Sequence, residues 1–298
     1  MAVAKRIFLF LTVNFLVVMM ISFIMRILNV SPYLTQHGLN FTALLIFCFI
    51  WGSVGAFISL LLSKSMAKWM MKVQIISPNT TNETEKQLLQ MVEKLAKDAN
   101  IPMPEVGVYN SPEINAFATG ATKRNSLVAV SSGLVNRFKT NEINAILGHE
   151  VSHIANGDMV TMTLLQGIVN AFVMFLARVL AHVLTSRGNG RQRSFMAYYA
   201  LVIVFEILFM ILGSIVVATF SRFREYRADL GGAYLAGKDS MIGALESLKA
   251  TQNIVDESKD SPSFQAFKIS TSKRSWMQVF ASHPPLDKRI ERLKNLSI

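Results

Sequence analysis

Long apolar runs break the chain into pieces, and the pieces between them show amphipathic periodicity. Four runs carry little charge: Ile7–Met25, Phe41–Leu62, Met159–Leu184 and Phe195–Phe220, of 19, 22, 26 and 26 residues. A hydrocarbon core about 30 Å thick is crossed by roughly 20 helical residues, so each run is long enough to span a bilayer. The first run has a basic start, as a signal peptide does. No small-x-small cleavage site follows it, however, and a second run comes soon after, so it reads as a retained anchor.

Between the runs lie two water-facing stretches. In the first, "TNETEKQLLQMVEKLAKDAN" places Leu88, Met91, Val92, Leu95 and Ala99 on one stripe of a helix. "PMPEVGVY" turns into a short strand, and "INAFATG" and "SLVAVSSG" read as two more. "TNEINAILGHEVSHIANGD" then predicts a helix capped by Thr140 or Asn141, with Glu142 in its first turn. The second stretch, Ser221–Ile298, is helical at both ends around a polar segment, Gln252–Ser275, that reads as a mobile loop. The expected organisation is an N-terminal membrane hairpin (1–72), half of a water-facing domain (73–158), a second membrane hairpin (159–220) and the other half (221–298). The fold class is mainly α with a small β-sheet, in a multi-span membrane protein.

Composition agrees with a bilayer. Hydrophobic residues make up 51% of the chain against 16% charged, which is too apolar for a typical soluble protein. The net charge of +11 does not imply nucleic acid, because no basic run is interleaved with aromatics. Lys and Arg beside apolar runs instead set membrane orientation. Lys5 and Arg6 precede the first run and Lys64, Lys68 and Lys72 follow the second, while Ile27–Asn40 has no basic residue. That pattern puts the N terminus and the segment after Leu62 on the cytoplasmic side. The loop Thr185–Ser194 disagrees, since Arg187, Arg191 and Arg193 would lie outside. The last two runs also hold Arg178, His182 and Glu206, so the pair either spans reluctantly or is partly covered by protein. Cys48 is the lone cysteine, which excludes an intrachain disulfide and a cysteine metal site.

The strongest chemical signal is His149-Glu150-Val151-Ser152-His153, the H-E-x-x-H pattern. Four positions apart on a helix, the two imidazoles stack one turn up the same face and can share one ion. Glu150 projects beside them, placed to hold the attacking water rather than the ion. Ile143, Ile146, Leu147, Val151 and Ile154 fill the adjacent arc, so one side of the helix packs while the next presents ligands.

A catalytic zinc needs a third protein ligand. The longer H-E-x-x-H-x-x-G-x-x-H form is absent: Gly157 comes one residue too late and position 159 is Met. "SRFREYRADLGG" offers Glu225 and Asp229, four apart, one to ligate and one to accept a hydrogen bond from a ligand histidine. Taken alone, that stretch also reads as a surface helix of Arg/Glu pairs. His153 precedes one apolar run by six residues, and Glu225 follows the next by five. An antiparallel hairpin of the two runs would bring both helices out side by side on one membrane face.

Together, His149–His153 followed by "IANGD", the later "EYRAD" (225–229), "INAFATG" (114–120) and "SHPPLDKRI" (282–290) resemble the HtpX-type membrane zinc metalloproteases. More distantly, they are similar to the CAAX prenyl proteases, which share the gluzincin core. The resemblance covers nearly the whole chain. It implies a gluzincin, zincin-like catalytic domain split by a helical membrane hairpin, and a heat-shock-responsive endopeptidase of the bacterial cytoplasmic membrane. Such an enzyme degrades misfolded or damaged membrane proteins and some cytosolic ones, with its site facing the cytoplasm. It also implies that His149, His153 and Glu225 bind one zinc ion, that Glu150 is general base and then general acid, and that Asp229 supports a ligand histidine. Asn115 would hold a substrate backbone added as an extra strand, and His283 would donate a hydrogen bond to the oxyanion.

Other polar groups have plainer readings. Arg178 and Glu206 form a hairpin ion pair, Asn14 a helix–helix hydrogen-bond group, and His37 has no catalytic part. Narrow processing is the competing enzyme reading, and at most four runs leave too little material for a large membrane chamber. A zinc scaffold without turnover has no use for Glu150, and a transporter would rest on Arg178 and Glu206.

Overall fold

The computed structural model describes residues 38–186, 195–258 and 283–296, together with Met19, Ile27 and Leu34–Thr35. The run Ile7–Met25 lies outside the described residues except for Met19, as do Asn14, His37 and the arginines at 187, 191 and 193. The polar segment expected at Gln252–Ser275 is helical through Ser258, and its remainder also lies outside.

The chain forms two compact units, Met1–Ser59 with Met162–Val217, and Leu60–Thr161 with Ala218–Ile298. Among the described residues, three helices are long and apolar enough to cross a membrane: α1 (Phe41–Met71), α5 (Asp158–Ser186) and α6 (Phe195–Ala236). Each outruns its apolar stretch. Helix α1 continues to Met71 and stops where Lys72 takes a left-handed φ of 52°. In α6 the apolar run and the Glu225–Asp229 stretch form one uninterrupted helix of 42 residues, because no proline or turn signal separates them.

In the first unit, a short antiparallel pair, β1 (Leu34–Thr35) and β2 (Gly38–Leu39), precedes α1. Helices α1 and α5 approach closely at small residues. A Cβ on Gly52 would lie 2.7 Å from both Ala171 N and Gly167 O, the backbone contact that small residues permit between apolar helices. Arg178 Nη1 donates to Glu206 Oε1 at 2.6 Å, and its guanidinium lies 5.8 Å from the Phe47 ring centre. Many apolar side chains point outward, among them Phe172, Ile203 and Met210. That is the surface a hydrocarbon solvent accepts.

The second unit holds a four-stranded sheet in the order β3-β4-β6-β5, made of β3 (Gln74–Ile75), β4 (Glu105–Tyr109), β5 (Ala116–Gly120) and β6 (Ser126–Ser131). Strands β4 and β6 are parallel, and the other two pairs are antiparallel. Every residue of β6 is buried, as its unbroken small and β-branched composition suggests for a central strand. Strand β5 forms one edge. Helix α2 (Glu83–Asp98) starts at Asn82, whose side chain accepts from Thr84 N–H at 3.0 Å. It buries Leu88, Val92, Leu95 and Ala96, each large side chain contributing about 1.5–3 kcal/mol on leaving water. Helices α3 (Ser132–Arg137), α4 (Thr140–Asn156), α7 (Lys238–Ser258) and α8 (Leu286–Lys294) complete the unit, and Leu134, Leu147, Met241, Leu245 and Leu293 join its core.

Two local expectations are corrected. The cap of α4 is Lys139, one residue before Thr140, because Glu142 Oε2 reaches back to the Lys139 N–H at 2.9 Å. Asn115 is not inside its strand but immediately precedes β5, with its backbone N–H donating to Ser131 Oγ at 3.1 Å.

Candidate metal centre

Helix α4 presents His149 and His153 from one face, and both are buried. Its other contacts hold that face in place. Glu142 Oε1 accepts from Ser247 Oγ of α7 at 2.8 Å, and Ile143, Leu147, Val151 and Ile154 enter the core. Helix α6 comes against α4 through Gly231 and Gly232. A Cβ on Gly231 would lie 2.3 Å from Ser152 Oγ, and one on Gly232 would lie 3.0 Å from His149 N. This close approach carries Glu225, one turn and a half earlier on α6, to the imidazoles.

The geometry is compact. The two Nε2 atoms are 3.1 Å apart; Glu225 Oε2 is 3.5 Å from His149 Nε2, and Glu225 Oε1 is 3.4 Å from His153 Nε2. One ligand atom from each of the three residues lies within 4.8 Å of the others. On the far side of each ring stands a carboxylate: Asp229 Oδ1 at 3.0 Å from His149 Nδ1, and Asp158 Oδ2 at 2.7 Å from His153 Nδ1. Asp158 accepts the Nδ1 proton of His153 and Asp229 faces Nδ1 of His149, so both Nε2 atoms turn inward. Two facing lone pairs at that distance, beside a buried carboxylate, require a positive charge between them. The donor set fits a metal ion.

The titration of the histidines expresses the same demand. Burial disfavours the imidazolium of His149, yet hydrogen bonds to Asp229 and Glu225 outweigh it and raise the pKa to about 9. His153 is raised as well, against its burial, by Asp158 and Glu225.

Glu150, His149 and Glu225 border a cavity of about 130 Å³ that also reaches Asn115 and His283. The sequence-predicted residues therefore converge. His283 is exposed and sits with Nδ1 2.8 Å from Glu225 Oε2. Asp229 stands with Oδ1 3.0 Å from His149 Nδ1, and it also takes Arg289 Nε at 2.8 Å.

Three residues of this centre went unassigned in the sequence. Asp158 orients His153 and is itself held by Arg227 Nη2 at 2.6 Å; Arg289 holds Asp229. The signals were present in "IANGD", "EYRAD" and "SHPPLDKRI". Gly157 supplies the turn: its φ of 67° closes α4 and folds Asp158 back beside His153.

Comparison with known proteins names the group. The profile of peptidase family M48 matches residues 82–297, which takes in all these residues. The chain belongs to peptidase family M48. Protease HtpX of Chromohalobacter salexigens is 48% identical over 97% of this chain and 97% of its own length. The Protease HtpX homologs of Bordetella pertussis and Bacillus subtilis are 50% and 48% identical, each over 98% of this chain and 98% and 99% of their own lengths. Among solved structures, S. mikatae Ste24p superposes with a TM-score of 0.64 at 18% identity, covering 97% of this chain and 64% of Ste24p. That likeness concerns the fold. The M48 chain is a membrane-bound metalloprotease, and the metal the family uses has a suitable donor set in His149, His153 and Glu225.

Proposed function

We propose that this M48 chain is a zinc endopeptidase of the bacterial inner membrane that hydrolyses misfolded or damaged membrane proteins, and some cytosolic ones, under stress. The observation that carries the reading is Glu150, free of any ligand role, beside a two-histidine, one-carboxylate centre at a cleft. A structural metal site closes all its positions with ligands and has no use for such a carboxylate. The basic flank Lys64, Lys68 and Lys72 supports a cytoplasmic active site.

His149, His153 and Glu225 hold the zinc, one per chain, with Asp229 and Asp158 fixing the imidazole tautomers. When bound, zinc supplies Lewis acidity that polarises the scissile carbonyl and acidifies water. Glu150 takes the proton of the attacking water and passes it to the leaving amine. The exposed edge of β5 accepts the substrate as a further strand, with the Asn115 amide on the substrate backbone. His283, at the same cavity, donates to the oxygen on which charge develops. A site fed by an open strand edge reads backbone rather than a particular side chain, which suits broad degradation over narrow processing.

Zinc content and casein cleavage of the purified full chain test this, with His149→Ala, Glu150→Gln and Glu225→Ala alongside. The wild type holds about one zinc and cleaves; the histidine and Glu225 variants lose the metal. Glu150→Gln keeps the metal and loses activity by at least about 100-fold. Unchanged cleavage by Glu150→Gln would sink the assignment.

A further inference from the structure

Next to the metal centre, α6 and α8 enclose a second cavity of about 190 Å³, lined in part by Asp229 and Arg289. Its lining divides in two. Arg227, Arg289 and Arg292 supply three guanidinium groups against the single carboxylate of Asp229. Phe223, Leu230 and Leu293 supply an apolar wall. Asp229 pairs with Arg289 and Asp158 with Arg227, which leaves Arg292 as the cavity's guanidinium outside an ion pair among the described residues.

Those arginines keep donors to spare. A guanidinium has five N–H donors. Arg227 spends Nη2 on Asp158, and its side chain is 55% exposed. Arg292 lies 4.6 Å over the Tyr226 ring and has no carboxylate partner among the described residues. Stacking on a ring face occupies the plane of a guanidinium and leaves its N–H edge pointing outward, the arrangement that suits phosphate. Beside this pair, Phe223 is 67% exposed. It follows Phe220, the last residue of the apolar run, by three positions in the same helix.

A phosphate diester with an apolar tail fits both halves. We infer that this cavity binds the headgroup of an anionic phospholipid, its phosphate on Arg227 and Arg292 and its upper acyl carbons against Phe223. The site adjoins the proteolytic cavity, with Arg289 lining both, and it stands whether or not the mechanism above holds. It adjoins the metal centre through two arginines: Arg227 holds the carboxylate that orients His153, and Arg289 the one that orients His149.

The test is calorimetric titration of the full chain in non-ionic detergent with dihexanoyl phosphatidylglycerol, dihexanoyl phosphatidylcholine and inorganic phosphate at fixed ionic strength. Phosphatidylglycerol is expected to bind at least about tenfold tighter than either of the others, a gap of about 1.4 kcal/mol. Arg292→Gln abolishes that preference while leaving zinc content unchanged. Phe223→Gln, at an exposed position, weakens phosphatidylglycerol without strengthening phosphate, and it carries the test if Arg292→Gln melts below the wild type. Equal binding of the two lipids overturns the proposal, as does wild-type binding by either variant. Inorganic phosphate binding as tightly as phosphatidylglycerol overturns the lipid assignment, since an anion alone then suffices. None of these readouts depends on proteolysis.

Discussion

Each histidine of the metal centre is held from behind, and that support is a residue-scale property with its own consequences. Asp158 accepts from His153 Nδ1 and is anchored by Arg227, so Asp158→Asn leaves all three ligands in place but loosens one ring. Zinc affinity should fall about 10- to 100-fold, with cleavage largely recovered at saturating zinc. Chelator competition measures the first effect, and activity against free zinc the second. Loss of cleavage that zinc does not rescue would give Asp158 a different part. Proton competition follows from the same carboxylates. In the metal-free chain His149 titrates at about 9, and ligation requires its Nε2 without a proton. Below that pH the proton must be displaced, so zinc affinity should rise with pH, by up to about tenfold per unit for this one proton, and level off above about 9. An affinity flat between neutral and alkaline pH would contradict it.

At the scale of elements, the centre depends on how closely α6 approaches α4. The contact is made by Gly231 against Ser152 and Gly232 against the His149 backbone, with no room for a Cβ at the first position. Gly231→Ala touches no ligand, yet it must push the helices apart or displace the Ser152 side chain, which already donates to Gly148 O at 2.7 Å. Overpacking of this kind costs about 1–3 kcal/mol, and here the shift falls on the Glu225-to-histidine distance. The expected result is a zinc content well below one per chain with all three ligands intact. Metal analysis of the purified variant decides it; full occupancy would mean that Ser152 yields instead.

The whole molecule is divided between two solvents, and its charged groups obey different rules in each. In the water-facing unit, the exposed Lys294–Glu246 pair, at 3.0 Å, is worth little. In the helical unit, Arg178 and Glu206 stand within apolar helices, where a charge that loses an opposite charge is costly. Glu206→Gln should lower the thermal midpoint in detergent, and Arg178→Met should lower it further. The double variant should be less damaged than the sum of the two, with a coupling of about 0.5–3 kcal/mol. Additive losses would show that the pair contributes nothing beyond its separate groups.

Much of this organisation depends on local sequence alone. Run length marks the apolar helices, and a spacing of four sets His149 and His153 on one face; neither needs knowledge of the rest of the chain. The position of Glu150 beside them and the amphipathic stripe of α2 were legible for the same reason. Boundaries were less so: α7 runs on through Ser258 where polarity suggested a loop, because a solvated face of a helix and a loop share a composition. What only the tertiary structure decided is which distant groups meet. Glu225 and Asp229 lie one turn apart on one helix, and periodicity cannot say which faces the Nε2 atoms; the Gly231–Ser152 contact sets that. Arg227 reaches Asp158 across 69 residues and Arg289 reaches Asp229 across 60, and no pattern within either segment announces the pairing. Local periodicity is a property of the backbone repeat. The second tier of the metal centre is a property of packing, and it exists once the helices have met.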